Sequence, residues 1–159
     1  MGVTLDDEAR QYLAAFEDVT GVDGKDCIRQ TVDGAGDANV NADADADAAD
    51  DDRLIVVVSS GQLGEAIGPD GRTVKRFEEQ VDASVRLVED ADDPEAFVAN
   101  ALAPAAVYNV TISENGDTVA YVEVATEDRG VAIGSNGRTI ETARRLAKRH
   151  FGIEDIQLL

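Results

Sequence analysis

The chain predicts an α+β fold built twice, as two copies of an α-β-β-α-α-β unit with helices packed on one face of a three-stranded sheet. Three observations carry that reading. Residues 64–74 (GEAIGPDGRTV) align with 130–140 (GVAIGSNGRTI) at an offset of 66, matching at seven of eleven positions. Apolar residues recur at helical and strand periods in the same order on either side of Asp90 to Asp93. The 159 residues, 43% of them hydrophobic, suffice for one ordinary domain or two small ones with a packed core.

The elements follow in order. Thr4 with Asp7 forms a capping-box pattern, after which Ala9, Tyr12, Leu13 and Phe16 share one helical face. Cys27 to Val32 and Leu54 to Ser59 read as strands. A short helix over Gln62 to Ile67 runs into Gly68, and a second starts near Arg72 and buries Val74, Phe77 and Val81. Ser84 to Glu89 closes the first copy as a strand. Asp93 as N-cap and Pro94 at the first helical position open the second copy, and Pro104 ends that helix. Ala106 to Ile112 and Thr118 to Ala125 flank Asn115-Gly116, a hairpin signal because both residues tolerate positive φ. Asp128 to Ile133 and Arg138 to Phe151 read as helices, and Asp155 to Leu159 as the last strand. The first domain is thus expected over 1–92 and the second over 93–159, packed together across a very short connection.

Residues 33–52 (DGAGDANVNADADADAADDD) stand apart as an acidic, low-complexity insertion at a hairpin tip. They lack the glycine and terminal glutamate of a calcium-binding EF-hand loop.

Charge shapes the functional reading. Asp and Glu number 33 against 14 Lys and Arg, a net charge of -19, and lysine contributes only three of the basic residues. Many short carboxylates with few lysines suit a protein kept soluble in concentrated salt, where the Debye length falls to about 3 Å and self-repulsion is mild. An acidic protein of ordinary cytoplasm is the alternative. Such acidity argues against nucleic-acid binding, which draws most of its non-specific affinity from Lys and Arg on phosphates. The charge is uneven, however. Windows 72–81 and 138–150 together carry +5, leaving -24 for the remainder. No apolar run reaches a membrane span, Met1 to Asp7 lack signal-peptide character, and the single Cys27 fits a reducing cytoplasm. One histidine, no zinc-type cluster and no Gly-Lys-Ser/Thr continuation of either glycine turn argue against an enzyme, a metal site or a cofactor.

The motif that carries chemistry is Ile67-Gly68-Pro69-Asp70-Gly71 and its copy Ile133-Gly134-Ser135-Asn136-Gly137, each set between two helices. Without Cβ atoms, such a turn lets a phosphodiester approach the backbone, and amides at the start of the following helix point at its oxygens. Arg72, Lys75 and Arg76 lie on the outer side of one helix. Arg138, Arg145 and Arg149 lie on that of the other, where Glu141 to Arg145 is a candidate ion pair. Arg144 and Lys148 are candidates for a domain interface. Pro69 lacks an amide donor and Asp70 places a carboxylate where phosphate approaches, so the second turn is expected to bind more strongly. His150 reads as a dipole partner or packing residue, Cys27 as a small core residue, and Tyr108 and Tyr121 as either core or base-stacking residues.

These two segments resemble the type II KH domain, and the whole chain outside 33–52 resembles the archaeal NusA-type transcription termination/antitermination factors, with two KH domains in tandem. The resemblance implies single-stranded RNA as the ligand, about four nucleotides clamped per turn. It implies RNA polymerase or the transcription complex as a further partner, and a cytoplasmic, monomeric, non-enzymatic protein. A KH module of ribosomal or RNA-processing assemblies would use the same motifs.

Overall fold

Helix α1 spans Asp7–Thr20 in the computed structural model, which describes residues 5–30 and 53–159. Its N-cap is Asp6, whose Oδ1 accepts the Ala9 N–H at 2.8 Å, so the expected Thr4 cap is corrected. An aspartate one residue before the helical run reaches the third amide directly, and Thr4 lies outside the described residues. Gly21 ends the helix in the left-handed region. Strands β1 (Gly24–Gln30) and β2 (Arg53–Val58) pair antiparallel. Expected strand residues Thr31 and Val32 and the 33–52 insertion lie outside the described residues. Short α2 (Leu63–Ile67), α3 (Arg72–Val81) and β3 (Ser84–Glu89) complete the unit, whose strand order is β1-β2-β3.

The second unit repeats this order with α4 (Pro94–Ala101), β4 (Val107–Ser113), β5 (Val119–Val124), α5 (Arg129–Ile133), α6 (Arg138–Phe151) and β6 (Asp155–Leu158). Asp93 takes the N-cap position of α4 with Pro94 first in the helix, although its side chain makes no capping bond. Strand order is β4-β5-β6, with β4 antiparallel and β6 parallel to β5. Ser113 pairs with Val119, so the hairpin loop holds five residues around Asn115-Gly116, of which only Gly116 has positive φ. The chain divides into two compact units, Leu5–Val88 and Glu89–Leu159.

Each unit builds its own core. In the first, α1 packs on β1 and α3, and α2 packs on α3. Phe16 meets Phe77 edge-on at 5.1 Å between ring centroids, surrounded by Leu13, Val22, Cys27, Leu54, Val56, Val58 and Ala66. In the second, α4 packs on α6 and β4, and Phe97 contacts His150 and Phe151 at 5.1 and 5.2 Å. His150 is therefore a packing residue.

Both sheets carry a β-bulge at the same place, between Gly24 and Asp26 and between Val107 and Asn109. The faces turned away from each unit's own helix-packed core differ. Ile28, Ile55 and Val57 are buried, whereas the positions at equivalent register, Thr111, Tyr121 and Glu123, are exposed. The continuous apolar run of β2 and the alternation of β5 already encode this contrast. Tyr108 is 72% exposed and Tyr121 sits on the open face, which removes a core role for both. Among the described residues, no helix is long and apolar enough to cross a membrane.

Burial, and then the neighbouring Asp26 carboxylate, push the Cys27 thiol from 9.0 up to about 12. Above pH 9 the unfolded chain loses this proton while the folded chain keeps it, so stability is intact below pH 9 and declines toward pH 12. Denaturation midpoints should therefore fall between pH 9 and 11 more steeply in the native protein than in a Cys27→Ala variant. Phe77→Ala should cost about 3–5 kcal/mol through the cavity it leaves against Phe16, read from chemical denaturation.

Candidate nucleic-acid interface

Two turns of one shape link α2 to α3 and α5 to α6. Gly68 has φ 77, ψ 174 and Gly134 φ 81, ψ 169, an extended mirror conformation open only to glycine. Asp70 (φ 56) and Asn136 (φ 57) are left-handed, as are Gly71 (φ 73) and Gly137 (φ 74). Asp and Asn are the non-glycine residues that best tolerate this region, which gives the residue type at 70 and 136 a conformational cause. The turns close on themselves, Gly71 N–H donating to Gly68 O at 3.1 Å and Gly137 N–H to Gly134 O at 3.0 Å. The amides of Arg72 and Arg138 donate to Pro69 O and Ser135 O. Those four amides serve the turns themselves. A 3₁₀ turn consumes donors by i to i−3 bonding.

Around each turn the structure gathers an apolar side chain and positive charge. Ile67 and Ile133, at the ends of α2 and α5, are 37% and 39% exposed, large apolar surfaces left beside the glycines. Arg72, Lys75 and Arg76 are exposed on α3, opposite buried Phe77 and half-buried Val74 and Val81. In the second unit Arg138 is half-buried, and Arg145 is exposed about 10 Å further along α6 at 1.5 Å per residue. Arg149 is exposed a turn beyond. Ser135 and Asn136 are exposed on the second turn, as are Pro69's neighbour Asp70 and the Arg72 guanidinium on the first. Asp70 Oδ2 lies 3.7 Å from Arg72 Nη2 in a pair so open to solvent that it contributes little stability, yet its carboxylate competes for that guanidinium.

Other basic residues are engaged within their own unit. Arg144 lies 2.9 Å from Asp155 and donates to Ile156 O, and Lys148 lies 3.4 Å from Glu154, which ties α6 to β6 and its approach. Glu141 pairs with Arg144 at 3.7 Å, one turn along α6. The Gln157 side-chain amide holds Asp155 below the usual carboxylate range. Desolvation opposes this, and the Ile156 N–H and Arg144 add to the lowering.

Sequence reasoning passed over two features. Exposed Val131 in α5 stands where α2 has exposed Glu65, so the second turn is flanked by apolar surface and the first by charge. That is one of the few mismatches in the repeat. Thr73 and Thr139 pack against Gly68 and Gly134, so that a Cβ on either glycine would lie 2.0 or 2.3 Å from a threonine Oγ1. Their identity in both copies was the available signal. Among the described residues, no group of three or more His, Cys, Asp or Glu is placed to hold a metal ion.

A helix, Gly-x-x-Gly turn and helix on an α-β-β-α-α-β unit, present twice, define a tandem KH protein. Residues 94–158 match the family described as the NusA-like second KH domain. The chain is 53% identical to the probable transcription termination protein NusA of Halococcus morrhuae, covering 99% of each chain. It is 51% identical, with the same coverage, to the protein so named in Halobacterium salinarum strain R1. It is similar to the crystal structure of APE1850, at TM-score 0.75 and 28% identity, over 98% of this chain and 100% of that one. The chain belongs to the NusA family.

Gly134→Ala should destabilise the second unit by about 2 kcal/mol or more, because a strained conformation meets a steric clash. Gly137→Ala should cost less, about 1–2 kcal/mol, since only its left-handed φ opposes a side chain there and nothing lies within 4 Å of the added Cβ. Denaturation of the two variants side by side reads the difference.

Proposed function

We propose that this chain is a non-enzymatic RNA-binding protein. Its two KH domains, 1–92 and 93–159, hold single-stranded RNA, and it acts in transcription termination, antitermination or elongation in the cytoplasm. The observation that carries the reading is the pair of Gly-x-x-Gly turns of one shape. Each has an exposed isoleucine on one side and outward Arg or Lys on the other. On this reading Gly68, Pro69, Asp70 and Gly71, and Gly134, Ser135, Asn136 and Gly137, face the sugar-phosphate backbone. Ile67 and Ile133 contact bases, and Arg72, Lys75, Arg76, Arg138 and Arg145 contact phosphates. No cofactor or metal takes part. The function in transcription is supported by relatives named as transcription termination proteins at 51–53% identity over nearly the whole length. RNA polymerase or its transcription complex is the protein partner proposed, and the chain acts as a monomer.

The experiment that tests this is crosslinking of bound RNA in cells, with co-purification of protein partners. Recovery of nascent transcripts with RNA polymerase supports it. Recovery of ribosomal subunits without polymerase would reassign the chain to ribosomal or RNA-processing assemblies.

The turns are not equal on this reading. Asp70 and Glu65 place carboxylates around the first, while Asn136 and Val131 are neutral. Asn136→Asp should weaken binding to a single-stranded RNA, and Asp70→Asn, which keeps a residue tolerant of the left-handed turn, should strengthen it. A charge near phosphate in water is worth about 1 kcal/mol, so each change should be up to about fivefold at low salt and smaller at molar salt. Effects of the same sign in both variants would refute the asymmetry. Affinity should also fall less steeply with salt than for a basic KH protein of similar site size, measured by titration from dilute to molar salt.

A further inference from the structure

We propose that Thr73 and Thr139 are positioning residues for RNA binding. Each holds the first glycine of its turn in place through the contact between its hydroxyl oxygen and the glycine Cα. The inference rests on the RNA-binding reading of the turns and adds residues that touch no RNA themselves.

Three restraints converge on that glycine in both copies. Its N–H donates back into the preceding helix, Gly68 to Gly64 O at 2.9 Å and Gly134 to Gly130 O at 2.8 Å. Its carbonyl accepts the Gly71 or Gly137 N–H and closes the turn. The third side is filled by threonine. The place of a Cβ on Gly68 lies 2.0 Å from Thr73 Oγ1 and 2.5 Å from its Cβ, and that on Gly134 lies 2.3 and 2.8 Å from the same atoms of Thr139. The glycine must therefore be glycine, and in turn it cannot rotate toward the following helix without striking the threonine.

Threonine suits the position for two reasons. Its Oγ1 and Cβ both stand against the place of a glycine Cβ, so the side chain fills that side of the turn. Oxygen is smaller than a methyl group and accepts a weak Cα–H contact, a geometry that recurs in both copies. A methyl in its place pushes the glycine outward. The two residues that follow it, Pro69-Asp70 or Ser135-Asn136, then move off the line where the backbone of RNA would lie.

The test uses the full chain in its native salt range and a single-stranded RNA of about a dozen nucleotides, enough for two turns of four. Thr139→Val keeps the shape and branching but replaces oxygen by methyl, while Thr139→Ser keeps the oxygen. Affinity should drop about tenfold in Thr139→Val, the equivalent of one lost charge-assisted contact, and stay within about twofold in Thr139→Ser. Amide NMR resonances of Ser135, Asn136 and Gly137 should shift in the valine variant and remain in place in the serine variant. Valine binding within twofold of the native chain, or affinity that follows folding stability equally in both variants, would overturn the proposal. If the native chain binds no RNA, the functional reading fails. The amide resonances then decide the positioning role alone, unmoved in Thr139→Val overturning it.

Discussion

The backbone conformation of one glycine in each unit couples the core to the surface that carries the functional chemistry. Gly68 and Gly134 leave the preceding short helix in a conformation that no other residue adopts, and a left-handed Asp70 or Asn136 then returns the chain into the next helix. The direction in which α3 and α6 depart is set there. From that direction α3 carries Phe77 inward onto Phe16 while Arg72, Lys75 and Arg76 stay outward, and α6 buries Ile140, Ala143, Leu146 and Ala147 while Arg145 and Arg149 face water. A change at the glycine is thus felt as packing on one side and as ligand geometry on the other.

Electrostatics explain how a chain of net charge -19 takes a role with RNA. Long-range positive potential is weak in concentrated salt, so contacts within a few ångströms dominate. The close contacts on offer are an exposed isoleucine, a turn free of Cβ atoms at its glycines, and a few arginines held on helices. The sequence relatives from Halococcus and Halobacterium fit the salt-adapted reading of the composition. Within that economy of charge, one carboxylate matters. Asp70 beside Arg72 makes the first turn a different surface from the second, although their backbones agree closely in φ and ψ.

Much of the fold was legible in the order of residues. The bounds of β3 and α6 follow directly from Ser84-Val85 and from Arg138 to the left-handed Gly152, because strand alternation, helical periodicity and caps are local signals. The internal repeat located both turns, and helical spacing placed Lys75, Arg76 and Arg145 on outer faces. Where several local signals compete, the sequence leaves the choice between them open. Thr4 and Asp6 both precede α1, and only geometry selects the cap. Glu141 has arginines at both i+3 and i+4, and Asp155 recruits Arg144 to the side where Glu141 then meets it.

By itself the sequence determined that this is a twofold α-β-β-α-α-β chain with two glycine turns, an acidic exterior and positive charge confined to the helices that follow those turns. Those properties depend on local patterns and on the match between two segments 66 residues apart. Tertiary structure decided the matched bulges in β1 and β4 and the use of Arg144 and Lys148 to secure the end of α6. It also decided that Thr73 and Thr139 face a glycine five residues earlier, a contact set by the path of the turn between them. Such pairings arise only when separate elements are brought together, and periodicity along one element carries no record of what lies across from it.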